Sequence, residues 1–208
     1  MRKLFLAAAL ALGSLTATAM ADSLVAGQHY AVLANPVSTA QPEKIEVVEL
    51  FGYSCPYCYQ LQPVVRDWEK TVPEDVRVVR MPAMFGGIWN LYGQLFYTLE
   101  AIKADPAMHD AVFVALHEEN RRLASLPEIS SFVASKGVDK EAFEKAWNSF
   151  AVKSQMEKAK KLAIAYQVSG VPTLVVNGKY RFDIGMAGGM QETTRVADLL
   201  IAKERAAR

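Results

Sequence analysis

Several features that would assign the chain to a large class of proteins are missing from its 208 residues. No apolar run after residue 21 reaches the ~18 residues that a membrane-spanning helix needs, and no repeat or collagen-like period is present. Basic and acidic residues nearly balance, with 23 Lys and Arg against 22 Asp and Glu. Because nucleic-acid binding relies on clustered positive charge, the sequence predicts a soluble globular protein without a nucleic-acid partner.

Cysteine and histidine are scarce as well, with two cysteines and three histidines. Both cysteines lie in the stretch YSCPYCY, where two residues separate Cys55 from Cys58. Such a pair can staple a fold, bind a metal ion or exchange electrons with other thiols. The context of the pair has to decide among these three interpretations.

The first 21 residues have the composition of a secretory signal peptide. Arg2 and Lys3 precede the apolar run LFLAAALALGSLTA, and Ala19-Met20-Ala21 supplies the small residues of a cleavage site. The run is short for a membrane span, so cleavage after Ala21 is predicted in preference to an uncleaved anchor. The mature chain would keep 21 basic and 22 acidic residues, a net charge near −1. The alanine-rich leader is typical of bacteria and predicts the periplasm, which is an oxidising compartment.

The rest of the chain alternates between sequence patterns typical of strands and patterns typical of helices. KIEVVELFGY and VRVVRMPAMF are apolar, β-branched runs that predict buried strands, and a helical pattern lies between them. Several helices are predicted from residue 86 onward, before SGVPTLVVNGKYRF predicts a hairpin with its turn at Asn177-Gly178. A final helix is predicted at about residues 191–206. This order predicts an α/β domain in two parts, residues 22–85 and 151–208, with a helical insertion at residues 86–150.

The cysteine pair is best interpreted as a redox pair. A disulfide between Cys55 and Cys58 would close a loop of only four residues, and because the entropic gain from a disulfide grows with loop length, it is near its minimum here. Structural zinc needs four ligands, and the histidines form no second paired set; His109 and His117 are interpreted as surface or hydrogen-bonded residues. A C-x-x-C motif that follows a strand and opens a helix is typical of disulfide exchange.

The position at a helix start predicts different roles for the two cysteines. Cys55 would face unpaired backbone N–H groups and the positive end of the helix dipole, both of which favour a thiolate. Cys58 lies one turn further into the helix, where we expect a buried, neutral thiol. Cys55 is therefore predicted to react with the substrate, and Cys58 to resolve the mixed disulfide.

These motifs resemble those of the DsbA family, the periplasmic thiol:disulfide oxidoreductases of the thioredoxin superfamily. FGYSCPYCY, WNSFAVKS and SGVPTLVVNGKY carry the resemblance, which covers nearly all of residues 28–205. The family implies a thioredoxin fold, in which helices flank a mixed sheet, with an inserted all-helical domain. It also implies a protein disulfide oxidoreductase that works through the Cys55–Cys58 disulfide without a metal or an organic cofactor.

The resemblance further implies a substrate-binding surface beside the cysteines. Val171-Pro172 would form a cis peptide bond packed against the active site, and Pro172 would belong to the catalytic residues. The backbone of Val171 would pair with a substrate peptide as an added strand. Pro56 and Tyr57, between the two cysteines, would also contact the substrate.

Glu49 stands out because it interrupts an apolar strand six residues before Cys55. Its apolar neighbours predict a buried carboxyl group, whose pKa burial would raise. The resemblance implies that this acid assists proton transfer at Cys58 and pairs with a lysine of the next strand. Arg80 occupies the corresponding position here, and an arginine can hold the carboxylate but cannot pass a proton.

The dipeptide between the cysteines departs from the family pattern. It is Pro56-Tyr57, whereas many DsbA proteins have a histidine in the second position. A histidine can supply positive charge to a thiolate, and a tyrosine cannot. This difference bears on the strength of the oxidant and leaves the predicted reaction class unchanged.

The predicted function is the oxidation of cysteine pairs in newly exported, unfolded proteins by a monomer. The resemblance implies reoxidation by a quinone-linked membrane partner of the DsbB type. One alternative is a periplasmic reductase or isomerase, but such isomerases usually add an N-terminal dimerisation domain, for which residues 22–44 are too short. A second alternative is a holdase that binds unfolded chains, although binding alone needs no cysteine pair.

Overall fold

The predicted strands assemble into one mixed sheet in the computed structural model, which describes residues 24–208. The predicted signal peptide, residues 1–21, lies outside the described residues. The sheet order is β1-β5-β4-β2-β3, where β2 and β3 are parallel and the other neighbouring pairs are antiparallel. The strands are β1 (Ala31–Val32), β2 (Ile45–Phe51), β3 (Val76–Pro82), β4 (Thr173–Val176) and β5 (Tyr180–Asp183).

Eight helices accompany the sheet in the described part of the chain. Within residues 24–208, none of them is long and apolar enough to cross a membrane. The longer helices were all predicted from the sequence, whereas α7 is too short to show a period. The helices are α1 (Pro56–Glu69), α2 (Gly87–Ala101), α3 (Ala107–His117), α4 (Leu126–Ser135), α5 (Lys140–Trp147), α6 (Phe150–Ala165), α7 (Ile184–Ala187) and α8 (Glu192–Ala206).

Strand β2 lies inside the sheet and is buried along its whole length. Successive strand residues point to opposite faces, so each face of β2 meets a different part of the chain. Ile45 and Val47 pack with residues of α1 and α8, whereas Val48 and Leu50 belong to the cluster formed with the helices between β3 and β4. The sheet is therefore covered by helices on both faces.

Helices α2 to α6 lie between β3 and β4 in the chain, and we call them the helical block. Helix α2 packs against α5 and α6 inside this block and against β3 of the sheet, while α3 packs against α1. The helical block thereby reaches the helix that carries the cysteine motif. The domain boundaries after residues 85 and 150 remain a prediction.

The predicted Asn177-Gly178 turn joins β4 to β5. Both residues have positive φ angles, 50° and 63°, as a turn between two antiparallel strands requires. A Cβ atom on Gly178 would lie 1.9 Å from the carbonyl oxygen of Val37, so this position also needs the smallest residue for lack of space. The turn sets the direction of β4, whose N-terminal end follows Pro172.

Candidate active site

The cysteine motif lies at the start of α1, directly after β2. Cys55 is the N-cap residue with an extended backbone, and Pro56 occupies the first turn, where a missing N–H breaks no helical hydrogen bond. The Cys55 sulfur accepts a hydrogen bond from the backbone N–H of Cys58 at 3.2 Å. Both cysteines are free thiols. The first helical turn thus brings the two sulfur-bearing residues together, as a redox pair requires.

The two thiols lie in opposite electrostatic environments. A hydrogen bond from the Cys58 thiol lowers the pKa of Cys55 from 9.0 to about 7, against the effect of burial, and the N–H groups of Cys58 and Tyr57 act in the same direction. Burial raises the pKa of Cys58 well above its usual range, and its hydrogen bond with Cys55 adds to the rise. Cys55 keeps 7% exposure and Cys58 keeps none. Cys55 is therefore the sulfur that can act as a thiolate.

The segment around Pro172 reaches the cysteines from the far end of the sequence. The Val171-Pro172 peptide bond is cis, which confirms this part of the prediction. The Cys55 thiol points to the carbonyl oxygen of Val171 at 3.5 Å. Tyr57 is 63% exposed. Together with residues 169–173 and 181–185, it lines a cavity of about 370 Å³. The structure thus brings Tyr57, Val171 and Pro172 to one surface.

Glu49 is a completely buried carboxyl group on β2. Its Oε1 accepts a hydrogen bond from Gln62 Nε2 at 3.0 Å, and its Oε2 lies 3.6 Å from Arg80 Nε, across the parallel pair of β2 and β3. Burial raises the pKa of Glu49 to about 7, which Arg80 opposes and Glu69 assists. The charge of Glu49 in turn raises the pKa of Cys58. The carboxyl group can therefore exchange a proton near neutral pH, and it is electrostatically coupled to the buried thiol.

Arg80 also connects Glu49 to a second acid. Its Nη2 donates to Glu69 Oε2 at 2.7 Å, so one guanidinium serves two carboxylates. Among the described residues, Glu49 Oε2, Gln62 Oε1 and Arg80 Nε have no hydrogen-bond partner. Gln62, Glu69 and Arg80 line a cavity of about 1100 Å³, which shares no lining residue with the cavity beside Pro172. The surroundings of Glu49 are therefore polar although the carboxyl group itself is buried.

Three residues near the motif were not selected from the sequence. The Tyr53 carbonyl oxygen accepts a hydrogen bond from His117 Nε2 at 2.7 Å, and the Tyr53 hydroxyl lies 2.9 Å from His109 Nδ1. The interpretation as surface or hydrogen-bonded residues fits His117, whereas the buried Nε2 of His109 has no partner among residues 24–208. Spacing on one face of a single helix is the signal that could have indicated a shared contact.

The chemistry that this arrangement supports is two-electron exchange between thiols. One sulfur can leave as a thiolate while its neighbour keeps a proton, so the pair can open a disulfide or form one. A pair of this kind, placed at the start of α1 on a mixed sheet with helices on both faces, makes the chain a thiol:disulfide oxidoreductase of the thioredoxin fold.

Comparisons with known proteins identify the family within this class. Residues 90–200 match the family described as DSBA-like thioredoxin domain. The thiol:disulfide interchange protein DsbA of Pseudomonas aeruginosa is 58% identical over 208 residues, which cover 100% of this chain and 99% of that protein. The protein of the same name from Azotobacter vinelandii is 56% identical over 213 residues, with both chains fully covered. The crystal structure of Pseudomonas aeruginosa DsbA has a TM-score of 0.87 at 59% identity, covering 90% of this chain and 97% of that one.

The chain belongs to the DsbA family of thiol:disulfide interchange proteins. The predicted thioredoxin fold with its mixed sheet and flanking helices is confirmed, as is the predicted disulfide oxidoreductase activity. The match to the family description begins inside α2 and so leaves out the cysteine motif. The relatives that match over the full chain include that motif in the compared region.

Proposed function

We propose that Cys55 is the sulfur through which the protein exchanges disulfides, and that it oxidises cysteine pairs of exported proteins. The observation that carries this assignment is the position of the Cys55 sulfur at the N-cap of α1, where it accepts a hydrogen bond from the Cys58 N–H at 3.2 Å while Cys58 is fully buried. The opposite directions of the two thiol pKa shifts agree with it. A stabilised Cys55 thiolate is a good leaving group, and a good leaving group makes the disulfide a good oxidant.

The reaction takes place in two exchanges. In the oxidised protein Cys55 and Cys58 share a disulfide, and a substrate thiolate attacks the Cys55 sulfur. A bond forms between the substrate and Cys55, while the Cys58 sulfur departs and takes up a proton. A second substrate thiolate then attacks the substrate sulfur of this mixed disulfide, and Cys55 leaves as a thiolate. The substrate dithiol is oxidised to a disulfide, and the protein disulfide is reduced to a dithiol.

Glu49 supplies the proton that the departing Cys58 sulfur needs. A pKa of about 7 leaves a substantial fraction of the carboxyl group protonated at neutral pH. The thiolate of Cys58 is disfavoured by burial, so the proton moves from the carboxyl group to the sulfur. Arg80 stays charged and holds the carboxylate after the transfer, at 3.6 Å.

The surface around Pro172 receives the substrate. Because the Val171 carbonyl oxygen lies 3.5 Å from the Cys55 sulfur, a peptide that brings its cysteine to Cys55 must pass along Val171. Pairing with this backbone would add the peptide as an extended strand. The exposed ring of Tyr57 and the cavity of about 370 Å³ beside it then contact the flanking side chains, together with Pro56. Backbone pairing is independent of side-chain identity and therefore fits a broad range of unfolded substrates.

We place the mature protein in the periplasm as a monomer, after cleavage behind Ala21. The composition of residues 1–21 supports this location. Each turnover leaves a dithiol that must give up two electrons, which calls for a partner such as a quinone-linked membrane oxidase of the DsbB type. The two sulfurs account for both electrons, so the proposed reaction needs no metal or organic cofactor. Among residues 24–208, no group of three or more His, Cys, Asp or Glu could hold a metal ion.

Differential alkylation tests the roles of the two cysteines. The reduced protein is treated with a limiting amount of iodoacetamide at pH 7, and the modified cysteine is located by peptide mass spectrometry. We expect Cys55 to be labelled first, since only thiolates react. Earlier labelling of Cys58 would contradict the assignment.

Refolding of ribonuclease tests the direction of the reaction. The oxidised wild-type protein should restore activity to reduced, unfolded ribonuclease, and Cys55→Ser should not. A wild-type protein that rescues only scrambled ribonuclease would support the isomerase alternative. A Cys55→Ser variant that keeps the full biological activity would support the holdase.

A further inference from the structure

Helix α3 of the helical block contacts both the backbone carbonyl and the side-chain hydroxyl of Tyr53, in the turn before the cysteine motif. Tyr53 is 1% exposed and lies two residues before Cys55. Its backbone carbonyl oxygen accepts a hydrogen bond from His117 Nε2 at 2.7 Å, and its hydroxyl lies 2.9 Å from His109 Nδ1. The two histidines are separated by roughly 12 Å along the helix, so α3 holds both ends of the same residue.

The His117 ring is fixed on several sides. It stacks on Tyr59 with centroids 4.9 Å apart and an interplanar angle of 3°, and it also stacks on Phe113 at 6.0 Å. Tyr59 belongs to α1 and follows Cys58 directly, and its hydroxyl donates to Glu118. Because a carbonyl oxygen can only accept, the His117 Nε2 that faces Tyr53 must carry a hydrogen. His117 is thus a fixed donor between the turn and the first part of α1.

The bond from His117 determines the orientation of the peptide unit that links Tyr53 to Ser54. That unit lies inside a turn closed by the Cys55 N–H, which donates to the Gly52 carbonyl oxygen at 3.0 Å. This turn determines the direction of the Cys55 side chain, whose sulfur lies 3.2 Å from the Cys58 nitrogen. A change in the Tyr53 peptide would therefore move the sulfur relative to the N–H groups at the start of α1.

We propose that His117 is a positioning residue for the disulfide exchange, because it anchors the Tyr53 carbonyl and thereby holds the Cys55 sulfur against the start of α1. His117 touches neither sulfur nor substrate and acts through the turn alone. This inference rests on the proposed role of Cys55 as the exchanging thiolate. It gives the helical block a part in the chemistry in addition to its part in packing.

A positioning role differs measurably from a packing role. The loss of a contact that only stabilises the fold lowers the free energy of unfolding of the oxidised and reduced forms by similar amounts. A contact that positions the sulfur acts on the thiolate, which exists only in the reduced form. Its loss changes the pKa of Cys55 and the equilibrium between the two forms.

The test compares variants of His117 in the full-length mature protein. His117→Ala and His117→Leu lack the donor, and the leucine also replaces much of the lost volume. His117→Gln keeps an N–H donor. His29→Ala is the matched control, since the His29 ring accepts a hydrogen bond from the Val25 nitrogen before β1 and does not contact the turn. The readouts are thiolate absorbance near 240 nm against pH, the alkylation rate of Cys55 at pH 6 and the equilibrium with glutathione.

We expect both variants without the donor to raise the Cys55 pKa by about one unit, which lowers the alkylation rate at pH 6 about tenfold. The equilibrium with glutathione should move toward the oxidised protein, by up to the same factor at a pH above both Cys55 pKa values, and His117→Gln should recover most of the effect. If the folded donor-free variants match His29→Ala in all three readouts, the positioning role is wrong, even where their stability falls. First labelling of Cys58 in the wild type would instead overturn the proposed role of Cys55.

Discussion

At the residue scale, Tyr57 is the side chain best placed to tune the oxidant. Its N–H already contributes to the low pKa of Cys55, and its ring is 63% exposed, so a smaller imidazole can take its place. Tyr57→His would add a group that can carry positive charge near the thiolate. We expect a lower Cys55 pKa and a higher reduction potential, by up to ~30 mV for each pKa unit. Thiolate absorbance and equilibration with glutathione measure both quantities.

Tyr57→Phe is the control for this substitution, because it removes the hydroxyl group without adding a cation. It should leave the Cys55 pKa close to that of the wild type. A histidine variant that also behaves like the wild type would show that the N–H groups of α1 alone set the thiolate, and that the dipeptide does not tune it.

Glu49 should make the stability of the oxidised protein depend on pH. Its folded pKa of about 7 lies above the ordinary 4.5. The stabilising effect of the protonated carboxyl group is therefore complete below pH 4.5 and is lost as the pH rises through 7. Relative to Glu49→Gln, we expect the free energy of unfolding of the wild type to fall by on the order of 3 kcal/mol across this window.

Urea unfolding of both oxidised proteins at several pH values measures this difference. Glu46→Gln is the control, since Glu46 lies on the same strand and has its own arginine, Arg77. Parallel pH profiles for the wild type and Glu49→Gln would mean that the carboxyl group does not titrate in this range.

The residues of the site differ in how far the sequence could predict them. Glu49 was predictable because apolar neighbours on one strand already imply burial. The Cys55 and Cys58 environments were predictable because a helix start imposes them locally. The contacts of Tyr53 were not, since His109 and His117 lie 56 and 64 positions away and only the packing of α3 brings them near.

At the element scale, the turn between β4 and β5 is the connection that should tolerate substitution least. Gly178→Ala places a Cβ 1.9 Å from the Val37 carbonyl oxygen at a residue with φ of 63°. We expect Gly178→Ala to lower the free energy of unfolding by more than the ~1–2 kcal/mol that a left-handed conformation costs an alanine. Gly137→Ala is the control, because Gly137 has φ of 90° with no atom within 4 Å of the added Cβ. Equal losses in denaturant unfolding would show that the chain near Val37 simply moves aside.

Elements with a long periodic pattern were predicted well, and the short ones less so. β2 and β3 were predicted from runs of apolar, β-branched residues, and the hairpin from Asn177-Gly178. The final helix, predicted at about residues 191–206, is observed at Glu192–Ala206, which agrees within the one or two residues by which helix ends are uncertain. The four-residue α7 depends on a single local hydrogen bond, which the Asp183 side chain accepts from the Met186 nitrogen.

At the scale of the whole molecule, the two redox forms should differ in how their stability responds to pH. The folded reduced protein lowers the Cys55 pKa from 9.0 to about 7. The resulting stabilisation is complete above pH 9 and is lost as the pH falls through 7, and the disulfide form lacks it. Between pH 6 and 9 we expect the reduced form to gain on the order of 2–3 kcal/mol relative to the oxidised form.

Parallel urea titrations of the two forms test this difference. Cys58 has a raised pKa and so opposes the gain only above its ordinary value of 9.0. The Cys55→Ser variant keeps Cys58 as its only thiol. Between pH 6 and 9 its free energy of unfolding should not rise relative to that of the oxidised wild type. A constant gap between the two wild-type forms would contradict the low pKa of Cys55.

The order of elements along the chain also decides when the active site comes into being. Cys55 and Val171 meet across 116 positions, and β2 pairs with β4 only after the helical block has been passed. In a chain that is made or exported from its N-terminus, the cysteines therefore emerge long before the backbone that is to receive a substrate beside them. A partly emerged chain would carry both thiols without the strand that we propose for substrate docking, and during that interval it would be open to disulfide formation before it could catalyse it.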